Sequence, residues 1–183
     1  IKLSAEKRDP FSLWFLASMY HSGEEIETNY SKAIKYYKLA MDLDYPAAFN
    51  DYGIMFEYGE GVKKDLHKAL EYYKIAAQKG FDVSQNNLGL LYSDGVVVKR
   101  DLKKAFDYFK LAADQGYDAA QYQLGLAYQN GEGVDKDLKK AFNYFKLSAD
   151  QGYLDSINEI GMSYFDGHGV EKNLEQSFKY FKI

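Results

Sequence analysis

Apolar and small residues recur along this chain at helical spacing, in two patterns that alternate. The first is short. In AAQYQLGLAY, residues 119–128, the positions Ala120, Leu124, Gly125 and Tyr128 fall on one face of a 3.6-residue helix. The second follows a glycine-containing turn. In DLKKAFDYFKLAADQG, residues 101–116, Leu102, Ala105, Phe106, Phe109, Ala112 and Ala113 form a single apolar stripe. Asn29, Asp65, Asp101, Asp137 or Asn173 opens each copy of the second pattern. A side-chain oxygen at such a place can accept a free backbone N–H and cap the helix. Gly80, Gly116 and Gly152 close it, suited to the left-handed conformation that ends helices, with Asp44 in that place in the first copy.

The two patterns return together every 36 residues, without insertion. Glycine recurs at Gly53, Gly89, Gly125 and Gly161, with Ala17 in the first phase, and again at Gly23, Gly59, Gly95, Gly131 and Gly167. Aromatic residues hold at Tyr20, Phe56, Tyr92, Tyr128 and Tyr164, and tyrosine at Tyr36, Tyr72, Tyr108, Tyr144 and Tyr180. A period of this length marks a stacked array of helical hairpins. The expected fold class is therefore all-α, built of antiparallel helix pairs. The repeats are expected over residues 12–46, 47–82, 83–118, 119–154 and an incomplete 155–183, with 1–9 as the tail of a preceding helix. One hairpin cannot bury its own apolar face, so each must lean on its neighbours. The first glycine column sits inside helices, where glycine costs roughly 1 kcal/mol against alanine. Its recurrence predicts close approach by the partner helix. Val97 stands where Gly61, Gly133 and Gly169 stand, and it would be strained there if the loop required a positive φ; the expectation is that the loop tolerates it.

Composition narrows the function classes. The chain has 183 residues, a net charge of −4 and no cysteine. A negative balance argues against a general grip on nucleic acid. Without cysteine, disulfides, thiolate metal sites and cysteine nucleophiles are excluded. No apolar run approaches the roughly 20 residues of a membrane helix, and the opening IKLSAEKRDP lacks the apolar stretch of a signal peptide. A soluble protein is expected, in the cytoplasm first, with an exported or luminal setting also compatible.

Candidate chemistry is sparse. His21, His67 and His168 do not share a phase, no zinc-binding His-Glu-x-x-His occurs, and GEG and GHG are too short for a phosphate loop. The expectation is no catalytic residue, no metal and no cofactor. The eighteen tyrosines and twelve phenylalanines sit mostly at phase-locked positions, which predicts packing rather than sugar or base stacking. The triplet NYS at Asn29 could accept a glycan in the secretory pathway, but it coincides with a helix cap.

The stretch AAQYQLGLAYQNGEGVDKDLKKAFNYFKLSADQGY resembles the Sel-one-like repeat, a relative of the tetratricopeptide repeat. The shared pattern is a small residue, Leu-Gly, an aromatic, Gly-x-Gly-Val, Asp, Lys-Ala, aromatics, Ala-Ala and Gly, and the likeness covers nearly the whole chain. The resemblance implies a right-handed α-solenoid superhelix whose first helices line the concave face. It also implies scaffold roles in protein quality control, in cell-wall enzyme regulation, and in bacterial host interaction or signalling. The paired cysteine that some bacterial relatives carry in each repeat is missing here, which argues against that secreted branch.

Columns that differ between repeats on the face opposite Leu88, Gly89 and Tyr92 are the candidate binding surface. They comprise Trp14, Asn50, Asn86, Tyr122 and Asn158; Phe15, Asp51, Asn87, Gln123 and Glu159; and Ser18, Ile54, Leu90, Leu126 and Met162. The amides could form a ladder that holds an extended peptide's backbone, while the aliphatic column takes its side chains; the alternative is that these residues only pack. A basic cluster of Lys63, Lys64, Lys99, Arg100, Lys103, Lys104, Lys136, Lys139 and Lys140 reads as a solvated rim, or else as a seat for an acidic segment. Both ends lack a polar capping repeat, which suggests a fragment of a longer protein, with end-to-end self-association through the terminal helices as an expected risk. The function expected is a scaffold or adaptor for a partner protein or extended peptide. A regulatory or host-interaction module that positions an attached enzymatic domain is the first alternative, and a hydrolase the second.

Overall fold

A computed structural model of the chain describes residues 9–182. Among these residues there are ten α-helices and no strand. The first helices of the hairpins are α1 (Pro10–Ser22), α3 (Pro46–Tyr58), α5 (Asp82–Asp94), α7 (Asp118–Asn130) and α9 (Leu154–Asp166). The second helices are α2 (Tyr30–Asp42), α4 (Leu66–Gln78), α6 (Leu102–Ala113), α8 (Leu138–Ala149) and α10 (Leu174–Tyr180). The helix tail expected over 1–9 lies, except for Asp9, outside the described residues.

Local chemistry sets the helix ends. Each second helix starts at the expected cap: the side chains of Asn29, Asp65, Asp101, Asp137 and Asn173 accept from the backbone N–H three residues on, at 3.0–3.1 Å. The backbone N–H of the same five residues closes the hairpin onto the carbonyls of Tyr20, Phe56, Tyr92, Tyr128 and Tyr164 at 2.8–2.9 Å. One residue thus ends the turn twice over, by side chain and by main chain. Past the second helices, Gly80, Gly116 and Gly152 are left-handed at φ 86, 95 and 92, and Asp44 takes the same conformation at φ 63. Val97 does not share the positive φ of Gly61, Gly133 and Gly169. The loop meets the substitution by changing its backbone rather than by straining the valine.

The chain divides into two compact units, the first ending at Ser84 and the second beginning at Gln85. In the first, α1 packs on α2, α2 on α3 and α3 on α4. Its interior holds Leu13, Ala17, Tyr37, Ala48, Met55 and Tyr73, all almost fully buried. In the second, α6 packs on α7, α7 on α8, α8 on α9 and α9 on α10 around Phe109, Leu124, Phe145 and Ile160. The column aromatics stack in pairs across every hairpin: Tyr20 on Tyr36, Phe56 on Tyr72, Tyr92 on Tyr108, Tyr128 on Tyr144 and Tyr164 on Tyr180, with ring centroids 5.6–6.0 Å apart. The helix glycines explain themselves here. A Cβ on Gly53, Gly89, Gly125 or Gly161 would come under 3.0 Å from the ring of Tyr73, Phe109, Phe145 or Phe181. The propensity lost at glycine is offset by the close contact of the ring packed against it.

Candidate functional site

The variable columns of the first helices do not all face the same way. Asn50 is buried at 2% exposure. Its Oδ1 accepts from Ser84 Oγ at 2.8 Å and its Nδ2 donates to Asp51 Oδ1 at 2.9 Å. Asn86 is buried as well. Its Oδ1 has no hydrogen-bond partner among the described residues. Tyr122 is half-buried against Phe145 and Tyr153, whereas Asn158 is exposed. The expected amide ladder is therefore not presented to solvent at Asn50 and Asn86. A first helix is flanked on more than one side in a stack, so its buried arc is wider than the stripe that its periodicity marks.

The next two columns keep accessible surface. Asp51 and Ile54 are half-buried in the first unit, as are Asn87, Leu90, Gln123, Leu126 and Glu159 in the second. Met162 is 47% exposed. Gln123 and Leu126 border a cavity of about 70 Å³ together with Ser93, Phe109 and Asn130. Glu159 accepts from Gln129 Nε2 at 3.3 Å.

The basic cluster is exposed, and four of its nine members, Arg100, Lys103, Lys104 and Lys140, have partners close by in the chain. Lys103 pairs with Asp107. Lys104 and Lys140 reach the capping Asp101 and Asp137 at 3.6 Å and lie over the rings of Tyr92 and Tyr128. Arg100 Nε donates to the Ser93 carbonyl at 3.0 Å. Among the described residues no group of His, Asp and Glu is placed to hold a metal ion, and no helix is long and apolar enough to cross a membrane.

The first unit contains a polar network that the column reading overlooked. Asp51 Oδ2 accepts from Trp14 Nε1 at 2.6 Å, beside the bond from Asn50. Burial pushes the Asp51 carboxyl above its ordinary value, against the hydrogen bonds from Asn50 and Trp14, which pull it down. The Tyr37 hydroxyl lies 3.2 Å from His21 Nδ1, and His21 Nε2 lies 2.6 Å from Glu60 Oε2. Burial, then the nearby Asp51, raises the Tyr37 phenol well above its ordinary value, so it stays protonated. These groups border an open cavity of about 580 Å³ that also takes in Tyr30, Ile54 and Tyr58. A sequence signal existed. The column of Tyr37 reads Tyr37, Tyr73, Phe109, Phe145, Phe181, and the column of His21 reads His21, Glu57, Ser93, Gln129, Phe165. Tyrosine appears only where His21 or Glu57 stands opposite, and Tyr73 does donate to Glu57. A buried hydroxyl needs an acceptor, and the two columns change together for that reason.

Helix-hairpin repeats with buried glycine–ring contacts and a variable first-helix surface define a class of α-helical repeat proteins. The model of the Sel1 repeat family matches residues 10–45, 46–81, 82–117, 118–153 and 154–183, and the chain belongs to this family. Sel1 repeat proteins are generally protein-interaction scaffolds. No curated protein matches the chain. Among solved structures, it is similar to a protective antigen of uropathogenic Escherichia coli strains that displays an SLR fold. The identity is 34% and the TM-score 0.88, over 99% of this chain and 39% of the antigen, so the chain spans well under half of that protein. A Sel1 repeat protein from Oxalobacter formigenes is 30% identical with a TM-score of 0.90, over 96% of this chain and 71% of that one. An immunity protein from Pseudomonas aeruginosa, 23% identical with a TM-score of 0.72 over 99% of this chain and 68% of that one, shares the fold alone.

Proposed function

We propose that this chain is a protein-binding scaffold that holds extended segments of a partner against the open sides of its first helices. In the first unit Asp51 and Ile54 contact the partner. In the second, Asn87, Leu90, Gln123, Leu126, Asn158, Glu159 and Met162 do so, with Tyr122 at the edge. Asn50 and Asn86 act behind this surface, as supports. The observation that carries the reading is the aliphatic column. Ile54, Leu90, Leu126 and Met162 keep accessible surface, and Met162 is 47% exposed, while core aliphatics such as Leu88, Leu124 and Ile160 are at 0–1%. Apolar side chains left beside carboxylates and amides suit a ligand that brings alternating apolar and polar side chains.

Selection of displayed random linear peptides against the chain tests this. Peptides recovered on the unmodified chain should bind Leu90→Ser/Leu126→Ser at least about tenfold more weakly, with circular dichroism unchanged, as expected when buried aliphatic anchors are lost. Failure to recover any peptide, or equal binding to the double variant, overturns the reading.

A further inference from the structure

We propose that the cavity at the C-terminal ends of α1 and α3 seats the guanidinium of an arginine carried by the bound partner segment. The inference deepens the scaffold reading and rests on it for the source of the arginine. Three observations lead to it. First, the cavity is large and walled by aromatic rings: about 580 Å³, with Tyr30, Tyr37 and Tyr58 in its lining, and Tyr58 66% exposed at the rim. Second, its charge is one-sided. Asp51 and Glu60 line it, and among the described residues no lysine or arginine does. Among the described residues the one basic group in the wall is His21, whose Nε2 is already held by Glu60. A neighbouring cavity of about 490 Å³ shares Ser18 and Ser22 with it and adds Glu24 and Glu25. Third, the Asp51 carboxylate is pre-aimed. Trp14 and Asn50 fix one oxygen each, and the carboxyl is held in surroundings that make its ionisation costly. A cation arriving there offsets that cost.

Arginine fits better than lysine on chemical grounds. A planar guanidinium stacks on tyrosine faces and forks onto carboxylates, and it is more easily stripped of water than an ammonium. Ile54, in the same wall, offers contact for its aliphatic stem.

The chain has a single tryptophan, so its indole N–H gives one resonance, and that group donates to Asp51. The ¹⁵N-labelled chain is titrated with acetyl-Ala-Ala-Arg-Ala-Ala-amide and with the same peptide carrying citrulline or lysine in place of arginine. Arginine should shift the Trp14 indole signal saturably, lysine more weakly, and neutral citrulline at least about tenfold more weakly. Asp51→Asn leaves one acceptor oxygen for the two donors Trp14 and Asn50 and so moves the reporter by itself; Glu60→Gln and Tyr58→Ala carry the test. Each should weaken the arginine peptide at least about fivefold with helicity unchanged. No saturable shift up to about 20 mM peptide, a weakness below any useful subsite, overturns the proposal. So does an equal response to citrulline, or indifference to both variants. Peptides selected on the first-helix faces with a silent arginine titration would end this inference and leave the scaffold standing. A saturable titration with no peptide ever selected would keep the arginine seat and end the scaffold reading.

Discussion

At the scale of single residues, one position in a repeat explains its neighbour in the next. Asn50 satisfies its Oδ1 with the Ser84 hydroxyl, whereas for Asn86, one period on, the position equivalent to Ser84 holds Ala120 and the Oδ1 has no hydrogen-bond partner among the described residues. An orphaned buried acceptor carries the desolvation cost of its group. Ala120→Ser should therefore raise stability by about 0.5–1.5 kcal/mol, one net hydrogen bond, measured as the midpoint of urea unfolding. No gain would mean that the hydroxyl does not reach the Asn86 oxygen. Asp51 supplies a pH prediction of opposite sign to that of a paired surface carboxylate. Its folded pKa is raised, first by burial, so the folded state keeps its proton longer than the unfolded chain. The stabilising share is present below the unfolded pKa and is lost as pH rises through the folded one. The Trp14 indole signal should report an Asp51 midpoint above 3.8, the ordinary value of the group. A midpoint at or below it would show that the hydrogen bonds outweigh burial.

At the scale of elements, the second helices were the most legible part of the chain. Their caps, apolar stripes and left-handed terminators are local chemistry, and each of Asn29, Asp65, Asp101, Asp137 and Asn173 caps as its side chain predicts. Asp44 is the departure, a branched side chain in the left-handed conformation that glycine takes in the following repeats. It forms an exposed ion pair with Lys79, an interaction worth little in water. Asp44→Gly should stabilise the chain by about 0.5–1 kcal/mol, the relief of a left-handed non-glycine residue less the lost pair. Thermal unfolding decides this, and a lower melting temperature would show that the Lys79 pair matters more than the backbone. The first helices were harder to read. Neighbours flank them on more than one side, so burial at Asn50, Gln85, Asn86 and Gln121 does not follow a single stripe. Gln115 and Gln151 reach across to Gln85 and Gln121 at 2.8 Å, a pairing repeated one period apart. Lys79 over Phe49 takes the same place one period earlier.

At the scale of the molecule, stability depends on neighbours. In the second unit the ring of Phe142 sits edge-on to Tyr164 at 5.5 Å, and Ile160 is fully buried in the same core, so α8 is completed by residues of α9. Ending the chain after Tyr153 should reduce the urea m-value by about a sixth, in proportion to the residues removed. It should also lower the unfolding midpoint, because an interface is lost with the repeat. If the hairpins were independent, the midpoint would stay where it is. Leu174 and Phe178 of α10 remain 58% and 61% exposed, so the apolar stripe of this helix keeps accessible surface among the described residues.

The sequence alone determined the all-helical class, the 36-residue period, the helix caps and the close approach at the helix glycines, because these depend on nearest neighbours along the chain or on one fixed offset. It also singled out Asp51 and Ile54, which line the cavity of about 580 Å³ in the first unit. Only the tertiary structure decided that Asn50 and Asn86 turn inward, and that His21, Tyr37, Asp51 and Glu60 converge there. Burial on a first helix is set by the hairpins on its flanks, and a side chain's own repeat does not contain that information.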